Sequence, residues 1–179
     1  MSIITLQNPA IDVFLTPSVA ILTFTYSVLT VKEADLLHDL HRAVSHSYWN
    51  AKQFSDSLLS NGHVGLLLQK EGVPLGFCLC RCVLDEAELL HIALLPEAQG
   101  LGLSSALWAQ MRVLLLQKKI ARVFLELRVS NARALAAYCA WGFTQQGLRK
   151  QYYSALLEGG EPEDALLMTL ILKERLAAC

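Results

Sequence analysis

Apolar positions along the chain follow two rhythms. One is a short continuous or alternating run of strand length: Ala20 to Tyr26, Val64 to Lys70, Leu75 to Val83, Glu88 to Leu95, Val123 to Val129, Phe143 to Tyr152 and Ala165 to Leu172. The other recurs every three or four residues, as the buried stripe of a helix does. It takes in Leu36, Leu37, Leu40 and Val44, then Phe54, Leu58 and Leu59, then Ala106, Leu107, Met111, Leu114 and Leu115. A fourth, shorter helical stretch runs from about Ala132 to Trp141.

Local signals punctuate this pattern. Thr30 with Glu33, and Asn50 with Gln53, have the spacing of a capping box and open the first two helices. Gly62 is placed to close the second helix, Gly142 stops the fourth, and the third ends near Lys118 and Lys119. Glu71 and Gly72 join two strands tightly enough for a hairpin. The order β, α, α, β, β, β, α, β, α, β, β predicts an antiparallel front half running into crossover units, hence a mixed sheet with helices on both faces. Met1 to Ser18, with its apolar AIDVFL patch, has no place in that order, and a polar loop (LEGGEPED) parts the last two strands.

With 179 residues and no Pro/Gly/Ser-rich linker, repeat or low-complexity tract, the chain reads as one domain over 19–179 behind an N-terminal extension, 1–18. A net charge of −1 leaves no electrostatic footprint for nucleic acid or an anionic membrane. The hydrophobic share is 54%, yet Val19 to Val31, the longest apolar stretch, is broken by Thr23, Thr25, Ser27 and Thr30. It falls short of the ~20 residues that cross a bilayer. Met1 to Ser18 has no Lys or Arg and so lacks the charged start of a secretion signal. A soluble cytoplasmic protein is expected.

Cys78, Cys80 and Cys82 alternate on one strand, which puts three thiols on one face. Without metal-type spacing they read as packed small hydrophobes, and no metal is expected. Cys139 and Cys179 also read as unpaired, in keeping with a reducing compartment.

One stretch asks for chemistry: AQGLGLSS, Ala98 to Ser105, lies directly after a strand and directly before a helix. A glycine turn in that position aims several backbone N–H groups at one point, where the helix dipole adds positive potential and phosphate oxygens can sit. A dinucleotide fingerprint would need a third glycine at Ser105 and an acidic ribose ligand further on, and a Walker loop would need Lys followed by Ser or Thr. Neither pattern is present, and the glycines alone leave open a tight turn with no ligand.

Four further stretches narrow the choice: VLDEAELLHIAL (Val83 to Leu94), LELRVSNARALAAYCAWGF (Leu125 to Phe143), LRKQYY (Leu148 to Tyr153) and EDALLMTL (Glu163 to Leu170). With the glycine turn, they resemble the GNAT superfamily of acyl-coenzyme A dependent N-acyltransferases. Within it, the resemblance is closest to the RimI family of ribosomal-protein-alanine N-acetyltransferases. The similarity runs from about Leu29 to Leu172. The family's Q/R-x-x-G-x-G/A loop falls without a gap on Gln99, Gly100, Leu101, Gly102, Leu103 and Ser104, and Ser104 is a departure from the usual Gly or Ala. The resemblance implies a mixed α/β fold of GNAT type: a central, largely antiparallel sheet of about seven strands, splayed at the fourth and fifth, with helices on both faces.

The same resemblance implies acetyl-coenzyme A as co-substrate. Backbone N–H groups from Gly100 to Ser105 would hold its pyrophosphate. Ile92, Ala93 and Leu94 would bind the pantetheine arm and the acetyl carbonyl, where a preorganised N–H stabilises the oxyanion of acyl transfer. Asn131, which spacing alone makes a helix N-cap, matches a coenzyme-binding asparagine.

Strand alternation sets Phe124, Glu126 and Arg128 on the face opposite Val123, Leu125, Leu127 and Val129. Glu126 then has two readings, a surface pair with Arg128 or the general base, and the resemblance assigns the base. Tyr138, otherwise a core tyrosine, matches the general acid that protonates the coenzyme thiolate. His91, next to Ile92, is either a second candidate for the base or a packed histidine.

Trp49, Arg149, Tyr152 and Tyr153 resemble elements near the family's peptide entrance, which implies a protein N-terminus as acceptor, such as the terminal alanine of a small-subunit ribosomal protein. An α-amine has a pKa of ~7.7 to 8.0 against ~10.4 for lysine, so one carboxylate, directly or through a water, suffices to deprotonate it. Two other readings keep the same fold: an acetyltransferase of a small metabolite amine, and a non-enzymatic sensor that binds acetyl-coenzyme A.

Overall fold

The computed structural model describes residues 23–45, 48–155 and 160–172. Seven strands form one sheet: β1 (Phe24–Val28), β2 (His63–Lys70), β3 (Val73–Val83), β4 (Glu86–Leu94), β5 (Arg122–Arg128), β6 (Thr144–Tyr153) and β7 (Glu163–Ile171). Their spatial order is β1-β2-β3-β4-β5-β7-β6, and every neighbouring pair is antiparallel except β4 with β5. The helices are α1 (Ala34–Val44), α2 (Ala51–Leu59), α3 (Leu103–Gln117) and α4 (Ala132–Ala140).

Both helical start signals form as spaced. The Thr30 and Glu33 box caps a 3-10 turn, Val31–Glu33, that leads into α1, and the Asn50 and Gln53 box caps α2. Glu71 and Gly72 both take left-handed backbone, φ 51° and 80°, which is what a two-residue hairpin turn requires.

Other boundaries move for tertiary reasons. The first strand is Phe24–Val28 rather than Ala20 to Tyr26, because its register is set by pairing with Leu66 to Lys70; residues 20–22 lie outside the described residues, as does the 1–18 extension. Helix α2 ends at Leu59, where the Ser60 N–H turns back to Asp56 and Ser57, so Gly62 (φ 93°) shapes the entry to β2 instead of closing the helix. Of the expected crossovers, β4–α3–β5 is one. The second, β5–α4–β6, also joins parallel strands, but β7 returns from β6 and inserts between β5 and β6, antiparallel to both.

The sheet is covered on both faces. On one side α3 buries Leu107, Trp108, Met111 and Leu115 against Val123, Leu125, Leu127, Met168 and Leu170, with Leu135 and Tyr138 of α4 at the margin. On the other, Leu37 and Leu40 of α1 and Phe54 of α2 pack on Leu67, Phe77 and Leu79. Strands β2 and β3 therefore bury both faces, which is why their sequences are apolar runs rather than alternations. Cys78 and Cys80 are fully buried beneath α3 as packed thiols, and Cys139 is exposed on α4. Among the described residues no helix is long and apolar enough to cross a membrane.

Strands β4 and β5 pair over only part of their length. Their ladder joins Glu86, Ala87 and Glu88 to Arg122, Val123 and Phe124 and then stops, although β4 continues to Leu94 and β5 to Arg128. A register shift between Leu79 and Cys80 marks the bend in β4 just past the last of these pairs. The expected splay at the fourth and fifth strands is present.

The sheet is close-packed where β3 meets the upper part of β4. Gly76 pairs with Leu94, and a Cβ there would run into the Ala93 carbonyl and the Leu94 side chain. Gly76→Ala is expected to cost about 1–3 kcal/mol of stability in urea unfolding, the range of overpacked cores. Gly72→Ala, whose Cβ meets nothing but must hold φ 80°, is expected to cost about 1 kcal/mol.

Candidate active site

The turn between β4 and α3 is built on backbone geometry. After a short 3-10 turn at Pro96–Ala98, Gly100 and Gly102 hold φ 76° and 75°, which only glycine adopts without strain. A Cβ at either would meet nothing within 4 Å, so the space above the turn is open. Gly102 is the N-cap of α3 and no side chain caps that end, which leaves the donors of the first turn to a ligand or to water.

A cavity of about 430 Å³ lies beside this turn. Ile92, Ala93 and Leu94 line it from β4, Gln99 and Gly100 from the turn that leads into α3, Leu103 and Ser104 from the start of α3, and Asn131 and Tyr138 from α4. The residues expected at the coenzyme thus converge from three elements. Leu101 and Gly102 of the turn and Ser105 of α3 do not line this cavity, and Leu101 is exposed. The Ser105 hydroxyl accepts from Trp141 Nε1 at 2.9 Å and ties α3 to α4. Gln99 acts as a strut: its Nε2 donates to the Leu94 carbonyl at 2.8 Å and its Oε1 accepts from Arg133. Asn131 caps α4 by accepting from the Ala134 N–H at 3.1 Å, while still facing the cavity.

A second cavity, about 590 Å³, adjoins the first. The two share His41, Ser45, Asn131 and Tyr138, and the second adds Trp49, His91, Glu126, Tyr152 and Tyr153. Tyr138 therefore stands at the junction with Glu126 on the far wall. A larger groove of about 930 Å³ runs over β5 and β7 and meets the second cavity at Glu88 and Glu126. It lies away from the glycine turn.

Glu126 is held, and not by Arg128. Its carboxylate accepts from Arg149 Nη1 at 2.5 Å and from the Tyr152 hydroxyl, and the Arg149 guanidinium lies 4.3 Å over the Tyr152 ring. Arg128 turns instead to Glu163 at 3.1 Å and to the Ser154 carbonyl at 3.0 Å. Arg149 lines neither cavity and reaches the site through Glu126. The Tyr138 ring packs on Trp141 and Phe143, and burial, with the Cys78 and Cys80 thiols nearby, raises its hydroxyl pKa well above 10. It is neutral and keeps its proton at physiological pH.

His91 is a packed histidine. Its ring lies 4.4 Å from Trp49 and 4.5 Å from His41, with Phe54 and Phe77 behind, and its buried Nε2 has no partner. Burial, with a smaller effect of His41, lowers its pKa to about 3, and burial with His38 lowers that of His41 to about 4. Both rings are neutral, and His91 is too weak a base to share that role.

Sequence reasoning missed the grip on Trp49: His41 Nδ1 accepts from its N–H at 3.2 Å, and His38 Nδ1 meets its carbonyl at 2.9 Å. Two histidines three residues apart were the signal, but their target lies beyond a loop. Among the described residues no group of three or more His, Cys, Asp or Glu is arranged to hold a metal.

Known proteins resemble this chain in sequence and in fold. Residues 33–143 match the acetyltransferase (GNAT) family. The chain is 34% identical over 122 residues to the ribosomal protein bS18-alanine N-acetyltransferase of Escherichia coli K12, covering 68% of this chain and 80% of that protein. It is 30% identical over 146 residues to the enzyme of the same name from Salmonella typhimurium, covering 82% and 96%. The crystal structure of the Escherichia coli ribosomal-protein-S18-alanine N-acetyltransferase matches with a TM-score of 0.77 at 29% identity, covering 87% of this chain and 100% of that one.

The two buried histidines make acid a test of the site's wall. Their folded pKa values lie below the ordinary ~6.5, so the unfolded chain binds protons that the folded chain refuses. Their contribution to stability is complete above about pH 6.5 and is lost as pH falls towards 4 and then 3. Ring NMR at about pH 5 is expected to show His41 and His91 still neutral, as the pKa values of about 4 and 3 require.

Proposed function

Because this chain belongs to the acetyltransferase (GNAT) family, we propose that it transfers acetyl from acetyl-coenzyme A to the α-amine of a polypeptide, the terminal alanine of a small-subunit ribosomal protein being its acceptor. One observation carries this reading above the others. Two adjoining cavities meet at Tyr138, with a glycine turn at the end of one and the Glu126 carboxylate on the wall of the other.

The residues present fit the coenzyme. The open turn and uncapped start of α3 supply backbone donors for the pyrophosphate. Past Glu88 the edge of β4 has no partner in β5, so the peptide groups between Ile92 and Leu94 that point away from β3 are available to the pantetheine amides and the acetyl carbonyl, apart from the Leu94 carbonyl, which accepts from Gln99. A backbone N–H fixed there stabilises the oxyanion without having to reorganise.

Glu126 takes a proton from the acceptor ammonium, directly or through a water, and Arg149 and Tyr152 keep the carboxylate aimed. The freed amine attacks the thioester carbon, so that the C–N bond forms and the C–S bond breaks. Tyr138 donates its proton to the departing sulfur and regains one from the nitrogen through solvent as the amide forms. Trp49, Tyr152 and Tyr153 line the cavity through which an acceptor reaches Glu126. An α-amine suits this site better than a lysine, since its lower pKa demands less of a single carboxylate.

The test is release of coenzyme A thiol with peptides beginning in Ala, Ser or Met, set against lysine and small amines. Turnover strongest with the Ala peptide is expected. Turnover with small amines alone overturns the acceptor, and tight coenzyme binding without turnover on any acceptor leaves a sensor. In the active protein, Glu126→Gln and Tyr138→Phe are each expected to lower kcat by roughly 10² or more with coenzyme affinity nearly intact. Full kcat in either variant across the pH range would remove that residue from the mechanism.

A further inference from the structure

The turn that faces the coenzyme cavity carries no positive side chain. From Pro96 to Met111 there is neither Lys nor Arg, and the charged residue in that stretch is Glu97. Backbone donors and a helix dipole bring only partial charges, about half a unit in all, whereas a diphosphate is a full dianion. His41, at the cavity wall, adds nothing, being neutral with a pKa lowered to about 4.

The missing charge comes from another helix. Among the described residues lining the first cavity, Arg133 in the first turn of α4 is the one with a fixed positive charge. Its Nη1 donates to Gln99 Oε1 at 2.5 Å, and Gln99 Nε2 donates in turn to the Leu94 carbonyl at 2.8 Å. The guanidinium is thus anchored to the first residue of the glycine turn by one of its five N–H groups. No carboxylate among the described residues forms an ion pair with it. Elsewhere in the molecule the arginines near the second cavity are already paired, Arg128 with Glu163 and Arg149 with Glu126.

We propose that Arg133 binds the diphosphate of the coenzyme, as the cation the glycine turn lacks, and that Gln99 holds it ready. This rests on the first cavity being the acetyl-coenzyme A site. A planar fork already held by one hydrogen bond loses little freedom when it takes up an anion, and its remaining donors can grip two oxygens at once. The bridge from Leu94 through Gln99 to Arg133 also ties the strand that would hold pantetheine to the helix that carries Tyr138.

Calorimetric binding of coenzyme A, dephospho-coenzyme A and pantetheine to the full chain tests this. Arg133→Gln is expected to weaken coenzyme A and dephospho-coenzyme A alike by about tenfold, the size of one charge-assisted contact. It should leave pantetheine unchanged and flatten the salt dependence of coenzyme A binding. Arg133→Lys, which keeps the charge on an exposed position, should recover most of the loss. Equal affinities in wild type and Arg133→Gln overturn the proposal, as does an effect confined to coenzyme A, which would put the guanidinium on the 3′-phosphate. Failure of the wild type to bind coenzyme A at all would overturn the cavity's assignment as well.

Discussion

Everything in this structure turns on a ladder that stops. Strands β4 and β5 share three residue pairs and then part, so the sheet has a wedge opened in its middle rather than an unpaired strand at its rim. Buried peptide groups without partners are costly, and a sheet tolerates such a gap only where something else supplies the hydrogen bonds. The two clusters on either face take the strain of this arrangement. One, beneath α3, runs across both sides of the wedge from Leu66 and Cys78 to Leu125 and Met168, and the other packs α1 and α2 on Leu67, Phe77 and Leu79.

Polar groups are set around the wedge by the elements that border it. The chain leaving β4 must turn sharply into α3, and left-handed backbone at Gly100 and Gly102 makes that possible while leaving the space above clear. Helix α4 closes the other side, with Asn131 at its N-cap, Arg133 in its first turn and Tyr138 in its second. Low dielectric around the Tyr138 hydroxyl and around His41 and His91 keeps all three groups neutral. The charged groups at the site are therefore few, and each has a defined neighbour: Glu126 with Arg149, Arg133 with Gln99.

How much of this was legible in the sequence depended on the range of each interaction. Capping boxes at Thr30 and Asn50, and the hairpin at Glu71 and Gly72, are decided within four residues and formed as spaced. The alternation of β5 put Glu126 opposite the core for the same reason, since a strand's period needs no partner. The partner of Glu126 was another matter. Arg128 is two residues away on the same face, yet Arg149 takes the carboxylate by reaching over β7, whose insertion between β5 and β6 is a tertiary choice. Arg133 and Gln99 lie 34 positions apart, and His38, His41 and Trp49 meet across a loop. The family motif marked the turn and the residues proposed as base and acid. It was silent on these struts because each joins side chains from separate elements, a pairing set by tertiary contact rather than by spacing along the chain.

An interrupted ladder also ties the protein's lifetime to its supply of small molecule. Whatever lays its amides along the free edge of β4 completes the sheet in the folded state and does nothing for the unfolded chain. It therefore adds RT ln(1 + [L]/Kd) to stability. In a cell that clears unfolded protein by proteolysis, a fall in such a ligand would then thin the population of this enzyme as well as starve it. The gap in the sheet would by itself couple abundance to metabolic state.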